Sequence, residues 1–167
     1  MKKLYVTAFA IIIFVASAMR QEGEYQCTPC GSDCDKASYD KPGECAHCNM
    51  TLVKKSSVVF KSIGPEEVCD YISKHPEVVV LDVRTKEEYE GTTDEYGTLK
   101  DALNIPVQDL EKRMLELNKM KDKEIIVYCS HSRRSPRASY LLTQRGFKNV
   151  TNMEGGMSTM KDSSCKK

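Results

Sequence analysis

The chain alternates short apolar runs with segments in which apolar residues recur at helical spacing. Two runs, residues 78–81 and 125–128, are continuous and rich in branched aliphatic residues, which is typical of strands buried on both faces. Shorter apolar segments at residues 58–60, 102–105 and 150–153 indicate three further strands. The pattern therefore predicts five strands between residues 58 and 153.

Three helices are predicted between these strands. The first begins at Pro65, because proline suits the first turn and the two glutamates that follow complement its positive end. The others cover residues 109–117 and 135–145, the last ended by Gly146. Strands alternating with helices predict an α/β domain over residues 58–160, with a mostly parallel sheet flanked by helices on both faces.

Residues 24–53 have a different character, rich in cysteine and turn-forming residues. Five of the eight cysteines of the chain fall between Cys27 and Cys48. About 30 residues cannot bury a self-sufficient core, so this segment needs a metal ion or disulfides to fold. The polar residues 54–57 suit a linker to the second segment.

The first 18 residues have the pattern of a secretory signal peptide. Two lysines precede an apolar stretch at residues 4–15, and a small-x-small cleavage site ends at Ala18. The stretch is short for a membrane span, so we expect cleavage, no stable span in the mature protein, and export to the periplasm or envelope of a bacterium. An uncleaved anchor is the alternative. Export favours disulfides over free thiols.

Composition and charge narrow the classes of function. Of 167 residues, 40% are hydrophobic and 29% charged, and the formal net charge is +1. These values are typical of a folded protein. The balanced charge argues against nucleic acid as a partner.

The most specific chemical signal is the segment Tyr-Cys-Ser-His-Ser-Arg-Arg at residues 128–134. It places Cys129 at the carboxyl end of a buried strand and just before a helix N-terminus, where open α/β sheets bind ligands and where free N–H groups attract anions. The same setting lowers the pKa of a thiol. We therefore predict a reactive, partly exposed thiolate at Cys129. The alternative is a small, inert, buried residue.

Residues 58–160 resemble a single rhodanese domain, the fold of the sulfurtransferases. No single motif carries the resemblance; an ordered set does, spread over about 100 residues. Its members are Ile63-x-Pro65-Glu66-Glu67, Leu81-Asp82-Val83-Arg84, Glu88-Tyr89, Gly91, Gly97, Ala102, Asn104-Ile105-Pro106, Ile126-Val127-Tyr128-Cys129, Arg134-Ser135, Ala138, Leu141-Leu142, Gly146-Phe147, Val150 and Gly155-Gly156.

The resemblance implies a mechanism in which the Cys129 thiolate takes a sulfane sulfur from a donor, becomes a persulfide and passes the sulfur to an acceptor. Arg134 would be the second catalytic residue, as a charge clamp on a small anionic donor such as thiosulfate or a persulfide; a thiol or cyanide would be the acceptor. No cofactor is required for this transfer. The implied substrate-binding residues are Ser130, His131, Ser132, Arg133 and Ser135.

Loop length refines this expectation. The loop from Cys129 to Arg134 has six residues, the size that sulfur-transferring members use, whereas phosphatase-like members carry one more. A phosphatase or arsenate reductase is therefore disfavoured. Thr98 stands where a histidine is common, and Met157 replaces the usual tryptophan. Residues 130–132 lack the usual flexible glycine, which leaves substrate choice open.

Several other residues receive structural predictions. Asp82, Arg84 and Glu88 are expected to pair with one another and fix a loop, since paired charges are common without chemistry. Cys69 lies among apolar residues at helical spacing and is expected in the core. Cys165 lies in a polar C-terminal tail that we expect to be mobile, with at most a minor redox role.

The two C-x2-C pairs predict a metal site with Cys27, Cys30, Cys45 and Cys48 as ligands. Paired knuckles can place four thiolates around Zn²⁺, and soft thiolates also bind Cu(I). The segment resembles the small heavy-metal-binding domain found beside metal transporters, through Tyr25-x-Cys27 and Lys41-Pro42-Gly43-x-Cys45-x-x-Cys48-x-Met50-x-Leu52. Cys34 and His47 are substitute ligands, and two disulfides are the competing account.

Together these features predict an exported rhodanese-type sulfurtransferase with an accessory metal-binding module. The alternative is a non-enzymatic protein that binds or senses heavy metal or sulfane sulfur, with Cys129 as a carrier.

Overall fold

The computed structural model describes residues 23–93 and 95–167. The predicted signal peptide, residues 1–18, lies outside this range. Within the described residues, no helix has the length and apolar character needed to cross a membrane.

The Cys-rich segment folds around a two-stranded antiparallel sheet. Strands β1 (Tyr25–Cys27) and β2 (Leu52–Lys54) pair, and a short 3₁₀ helix, Asp33–Lys36, lies between them in sequence. The small core contains three buried cysteines and one leucine, namely Cys27, Cys34, Cys45 and Leu52. Thiols therefore take the place of a conventional apolar core here. Residues 55–57 of the predicted linker form one further 3₁₀ turn.

The second segment is a five-stranded parallel sheet flanked by helices, which confirms the predicted fold class. The strand order is β3-β7-β6-β4-β5. The strands are β3 (Lys61–Ile63), β4 (Val79–Asp82), β5 (Leu103–Asn104), β6 (Glu124–Tyr128) and β7 (Asn149–Met153). The helices are α1 (Val68–Lys74), α2 (Lys86–Tyr89), α3 (Leu110–Arg113) and α4 (Arg134–Gln144).

Four elements differ from their predictions. The helix predicted to begin at Pro65 begins at Val68, because residues 65–67 form turns. The first strand is not residues 58–60 but β3, which lies at the sheet edge and is fixed by pairing with β7 and not by an apolar pattern. The predicted helix at residues 109–117 divides into α3 and a 3₁₀ helix, Met114–Met120. Helix α2 was not predicted, because four residues are too few to show helical periodicity.

Strand β6 lies between two cores. Ile125 and Val127 pack with residues of α3 and α4 on one face, whereas Ile126 and Tyr128 pack with residues of α1 on the other. Alternate side chains of a strand point to opposite faces, so a strand covered on both sides must be apolar at every position. The end of β6 is thereby held firmly, and Cys129 follows directly.

The C-terminal tail is fixed to the domain, so the expectation of a mobile tail is wrong. Cys165 forms a disulfide with Cys69 of α1, across 96 residues of sequence. Lys166 forms an isolated antiparallel β-bridge with Leu99, and the Lys167 N–H donates to the Thr98 carbonyl at 2.9 Å. Cys69 is in the core, as predicted, but as a cross-link.

Candidate active site and Cys cluster

The loop between β6 and α4 is positioned by a second loop that follows β7. The Met157 N–H donates to the Cys129 carbonyl, and the Ser158 N–H to the Ser130 carbonyl, each at 2.9 Å. A Cβ added at Gly156 would lie 2.5 Å from the Ser130 oxygen and 2.6 Å from the Cys129 oxygen. The close approach therefore needs glycine at position 156, which also has φ +70°.

The Cys129 sulfur lies at the centre of the loop, 3.5 Å from the Ser135 hydroxyl oxygen. Burial raises the pKa of Cys129. Hydrogen bonds from the Ser135 hydroxyl and from the backbone N–H groups of Ser135, Arg134 and His131 lower the pKa by more than burial raises it. The net pKa is below the ordinary value of a thiol. Backbone donors converging at a helix N-terminus stabilise an anion, so this loop favours a thiolate.

Cys129 is nevertheless fully buried, with 0% of its surface exposed. The prediction of a partly exposed residue is wrong on this point. The loop folds over the sulfur, and Cys129 also joins the core cluster that contains Ala138.

Arg134 and Ser130 both contact the carboxylate of Glu88. The Arg134 guanidinium binds both carboxylate oxygens, with Nη2 2.6 Å from Oε1. The Ser130 hydroxyl donates to the same Oε1 at 2.8 Å. The predicted charge clamp is thus already paired with a carboxylate, so the site carries less net positive charge than the two arginines suggested.

Glu88 is held in place by a capping box at the start of α2. The Glu88 N–H donates to the Thr85 hydroxyl at 3.3 Å, and the Thr85 N–H donates to the Glu88 carboxylate at 2.9 Å. The Arg134 guanidinium lowers the pKa of Glu88 to about 2, against the opposing effect of burial. The sequence contains the signal for the capping box, a threonine with a glutamate three residues later. That signal does not indicate the contact between Glu88 and Arg134.

Asp82 and Arg84 form a fully buried ion pair, as predicted. The prediction that Glu88 pairs with them is wrong, because the Glu88 carboxylate pairs with Arg134. Arg84 Nη2 lies 2.7 Å from Asp82 Oδ2 and also donates to the Thr98 hydroxyl at 3.2 Å. The guanidinium carbon lies 5.6 Å from the centre of the Tyr128 ring. Thr98 therefore has a defined hydrogen-bonding role at the position where a histidine is common.

The remaining three predicted substrate-binding side chains form hydrogen bonds with groups other than the Cys129 sulfur. The His131 imidazole is exposed and lies 3.2 Å from the Tyr96 hydroxyl. Ser132 has a left-handed backbone with φ 52°. Arg133 donates to the Ser32 hydroxyl of the Cys-rich segment at 3.1 Å. The structure thus brings Cys129, Ser130, Arg134 and Ser135 together, whereas the side chains of the other three have other partners.

The Cys-rich segment contacts the loop directly. A Cβ added at Gly31 would lie 1.8 Å from the Ser132 carbonyl oxygen, so only glycine fits between the two backbones. A cavity of about 370 Å³ adjoins this contact, lined by residues of both segments, among them Lys36, Phe60 and Pro136. This contact between distant parts of the chain had no signal in the sequence.

The five clustered cysteines are free thiols, and four of them form a compact group. The sulfurs of Cys27, Cys34, Cys45 and Cys48 all lie within 4.8 Å of one another. In this group of four sulfurs, Cys34 replaces the predicted Cys30. The 3₁₀ helix directs Cys34 into the core, where it is 7% exposed. His47 is exposed.

The environments of these thiols differ. The backbone N–H of His47 and the Tyr39 hydroxyl lower the pKa of Cys45 to about 6. Burial and the neighbouring Cys30 thiol raise the pKa of Cys34 to about 12. Soft sulfur donors in this arrangement suit a thiophilic cation, so the segment could hold a metal ion.

Comparison with known families and structures gives a consistent result. The family model described as "Rhodanese-like domain" matches residues 65–163. Among solved structures, a rhodanese-like domain protein from Staphylococcus aureus has a TM-score of 0.53 and 27% identity, covering 63% of this chain and 95% of that one. A rhodanese-related protein from Thermoplasma volcanium has a TM-score of 0.51 and 28% identity, covering 63% and 94%.

Relatives of known sequence carry several names. A sulfurtransferase from Allochromatium vinosum is 30% identical over 99 residues, which cover 59% of this chain and 86% of that protein. A probable molybdopterin-synthase adenylyltransferase from Porphyra purpurea is 35% identical, covering 63% and 28%. A tRNA uridine(34) hydroxylase from Cytophaga hutchinsonii is 28% identical, covering 68% and 36%. The chain spans only about a third of the length of the last two proteins.

Proposed function

Because the chain belongs to the rhodanese-like domain family, we propose that it transfers sulfane sulfur through a persulfide on Cys129. The observation that carries this proposal is the position of the Cys129 sulfur among backbone N–H donors of the loop, which lower the pKa of the thiol. A thiolate is the nucleophilic form of cysteine, and the same donors can stabilise the anionic persulfide that replaces it.

In the first step, the Cys129 thiolate attacks the outer sulfur of thiosulfate. The new bond joins Cys129 to that sulfur, the sulfur–sulfur bond of thiosulfate breaks, and sulfite leaves with the bonding electron pair. In the second step, cyanide or a thiolate attacks the outer sulfur of the persulfide. Cys129 leaves as a thiolate, so the enzyme returns to its starting state without an external oxidant or reductant.

Arg134 has the role of an anchor for the donor in this proposal. Its guanidinium holds Glu88 on one side, and its position at the first turn of α4 keeps its charge close to the sulfur. A carboxylate partner that fixes an arginine leaves its remaining N–H groups preorganised for a second anion. Thiosulfate and persulfides are anions of suitable size for a six-residue loop.

The Cys-rich segment has the role of an accessory module that binds Zn²⁺. A bound ion would supply the cross-link that a segment of this size needs to fold. We further propose that the protein is exported, since a disulfide between Cys69 and Cys165 suits an oxidising compartment.

A thiosulfate-to-cyanide assay on the reduced protein tests the catalytic proposal. Cys129→Ser is expected to reduce thiocyanate formation to the uncatalysed rate. Arg134→Gln is expected to lower it roughly tenfold or more, from the loss of charged hydrogen bonds of about 1.5–3 kcal/mol. Arg137→Gln removes an exposed charge from the same helix and is the matched control, with activity unchanged.

A protein that carries sulfane sulfur on Cys129 without turnover is the second candidate, since Arg134, the proposed anchor for the donor, is already paired with Glu88. Mass spectrometry after incubation with thiosulfate distinguishes the two. One added sulfur on Cys129 together with thiocyanate formation supports the enzyme, whereas one added sulfur without turnover supports the carrier. If neither the added sulfur nor thiocyanate is detected, both candidates are contradicted.

A further inference from the structure

The Cys-rich segment contains a second group of metal-binding atoms that overlaps the first. Atoms of Cys27, Cys30, Cys34 and Asp35 also lie within 4.8 Å of one another. Two members, Cys27 and Cys34, belong to both groups. The two groups therefore comprise six donors in all, five thiols and one carboxylate.

From this overlap we propose that the segment binds two divalent ions that share the thiolates of Cys27 and Cys34. The first ion has Cys45 and Cys48 as its other ligands, and the second has Cys30 and Asp35. Each ion then has four donors, the number that Zn²⁺ prefers. This proposal deepens the accessory metal site proposed above and rests on it.

The spacing of the sulfurs fits this arrangement. Sulfurs bound to one tetrahedral Zn²⁺ at about 2.3 Å are roughly 3.8 Å apart. In the first group, the sulfurs of Cys27 and Cys48 are 3.3 Å apart, and those of Cys34 and Cys48 are 3.9 Å apart. In the second group, the Cys30 and Cys34 sulfurs are 3.5 Å apart. Small displacements would bring both groups to the required spacing.

Membership of both groups, and not burial, distinguishes the bridging ligands from the terminal ones. Cys27 is 0% exposed and Cys34 is 7% exposed, and Cys45, which belongs to the first group only, is also 0% exposed. Cys30 and Cys48, each at the outer end of one group, are half-buried. A thiolate sulfur has several lone pairs and can bind two cations, and the two central sulfurs are the ones placed to do so.

Asp35 is oriented as a ligand. Its Oδ2 accepts the backbone N–H groups of Cys30 and Gly31 at 2.9 and 2.7 Å, which fixes the carboxylate. Its Oδ1 then faces the Cys30 sulfur at 3.2 Å. Ligating carboxylates are commonly held by such hydrogen bonds. By contrast Asp33, on the same 3₁₀ helix, has a side chain that is 98% exposed and pairs with Lys36.

Loading balances as an exchange of protons for metal. Each of the five thiols that is still protonated loses its proton as two Zn²⁺ ions bind, and no electron is transferred. Sharing two thiolates lets six donors satisfy eight coordination positions. A single ion in the first group would leave Cys30 and Asp35 without a metal, although the fold brings both side chains close to the two shared thiols.

Metal stoichiometry tests the proposal. The full chain, reduced and loaded with Zn²⁺, is expected to hold two ions in native mass spectrometry. Asp35→Asn keeps the acceptor for the two N–H groups but removes the anionic ligand, and is expected to hold one ion. The matched control Asp33→Asn is expected to hold two, as is Cys129→Ser, which excludes the catalytic thiol as a ligand.

Loading with ¹¹³Cd²⁺ adds a spectroscopic measurement that does not depend on activity. Two resonances are expected for the wild type, one from four sulfurs and one from three sulfurs and an oxygen, and Asp35→Asn should lose the second. One ion in the wild type would overturn the shared site but leave the accessory metal site intact. No ion would remove both. Two ions in Asp35→Asn would overturn the ligand assignment.

Discussion

Glu88→Gln separates the charge of Glu88 from its shape. Glutamine keeps the length of the side chain and its hydrogen-bonding oxygen, but leaves the Arg134 guanidinium without its counter-charge. The pair is mostly buried, with side-chain exposures of 17% for Glu88 and 30% for Arg134. Its loss should therefore cost more than the loss of a surface ion pair.

The pKa of Glu88 gives the magnitude. Lowering from 4.5 to about 2 corresponds to about 3 kcal/mol at about 1.4 kcal/mol per pKa unit. Screening by solvent reduces this, so we expect Glu88→Gln to lower the free energy of unfolding by about 2 kcal/mol at pH 7. Glu90→Gln, which breaks an exposed pair with Lys86, should cost under about 0.5 kcal/mol.

The pH dependence provides an independent check. Because the folded-state pKa is depressed, the ionised form of Glu88 stabilises the protein fully above about pH 4.5, and this contribution is lost as pH falls through about 2. Urea unfolding of wild type and Glu88→Gln at pH 7, 5 and 3 should give equal differences at the first two. At pH 3, the difference in the free energy of unfolding should be less than half of its value at pH 7. A difference that matches Glu90→Gln, or that is unchanged at pH 3, would refute the reasoning.

Three further predictions concern other parts of the molecule. Cys69→Ser opens a disulfide that spans 96 residues and should lower the free energy of unfolding by about 2–5 kcal/mol; a reductant should destabilise the wild type equally and leave the variant unchanged. Gly31 has φ +70° and lies against the loop between β6 and α4, so Gly31→Ala should lower the free energy of unfolding by at least about 1–2 kcal/mol and slow sulfur transfer. Gly43 has no atom within 4 Å of an added Cβ, so Gly43→Ala should change neither stability nor transfer. Equal effects of the two variants would contradict the packing of Gly31 against the loop. Ser135→Ala removes a donor to Cys129, so the pH midpoint of Cys129 alkylation should rise, and an unmoved midpoint would exclude this hydrogen bond.

Local sequence was sufficient for the parts of the fold that depend on local pattern. The continuous apolar runs identified β4 and β6 because a strand covered on both faces has no polar side. The position of Cys129 between β6 and α4 followed from the same pattern. By contrast β3 exposes Lys61 and Ser62, and only its pairing with β7 makes it a strand.

The amino-acid sequence by itself determined the fold class, the position of Cys129 between β6 and α4, and the concentration of thiols near the N-terminus. The tertiary structure decided which distant groups meet: Glu88 with Arg134, Cys69 with Cys165, and Gly31 with the active loop. It also decided that Cys34 lies among the clustered thiols and that Cys129 is buried. The physical reason is that periodicity and spacing report on neighbours within a few residues, whereas pairing of charges, thiols and backbones across the chain depends on how whole elements pack.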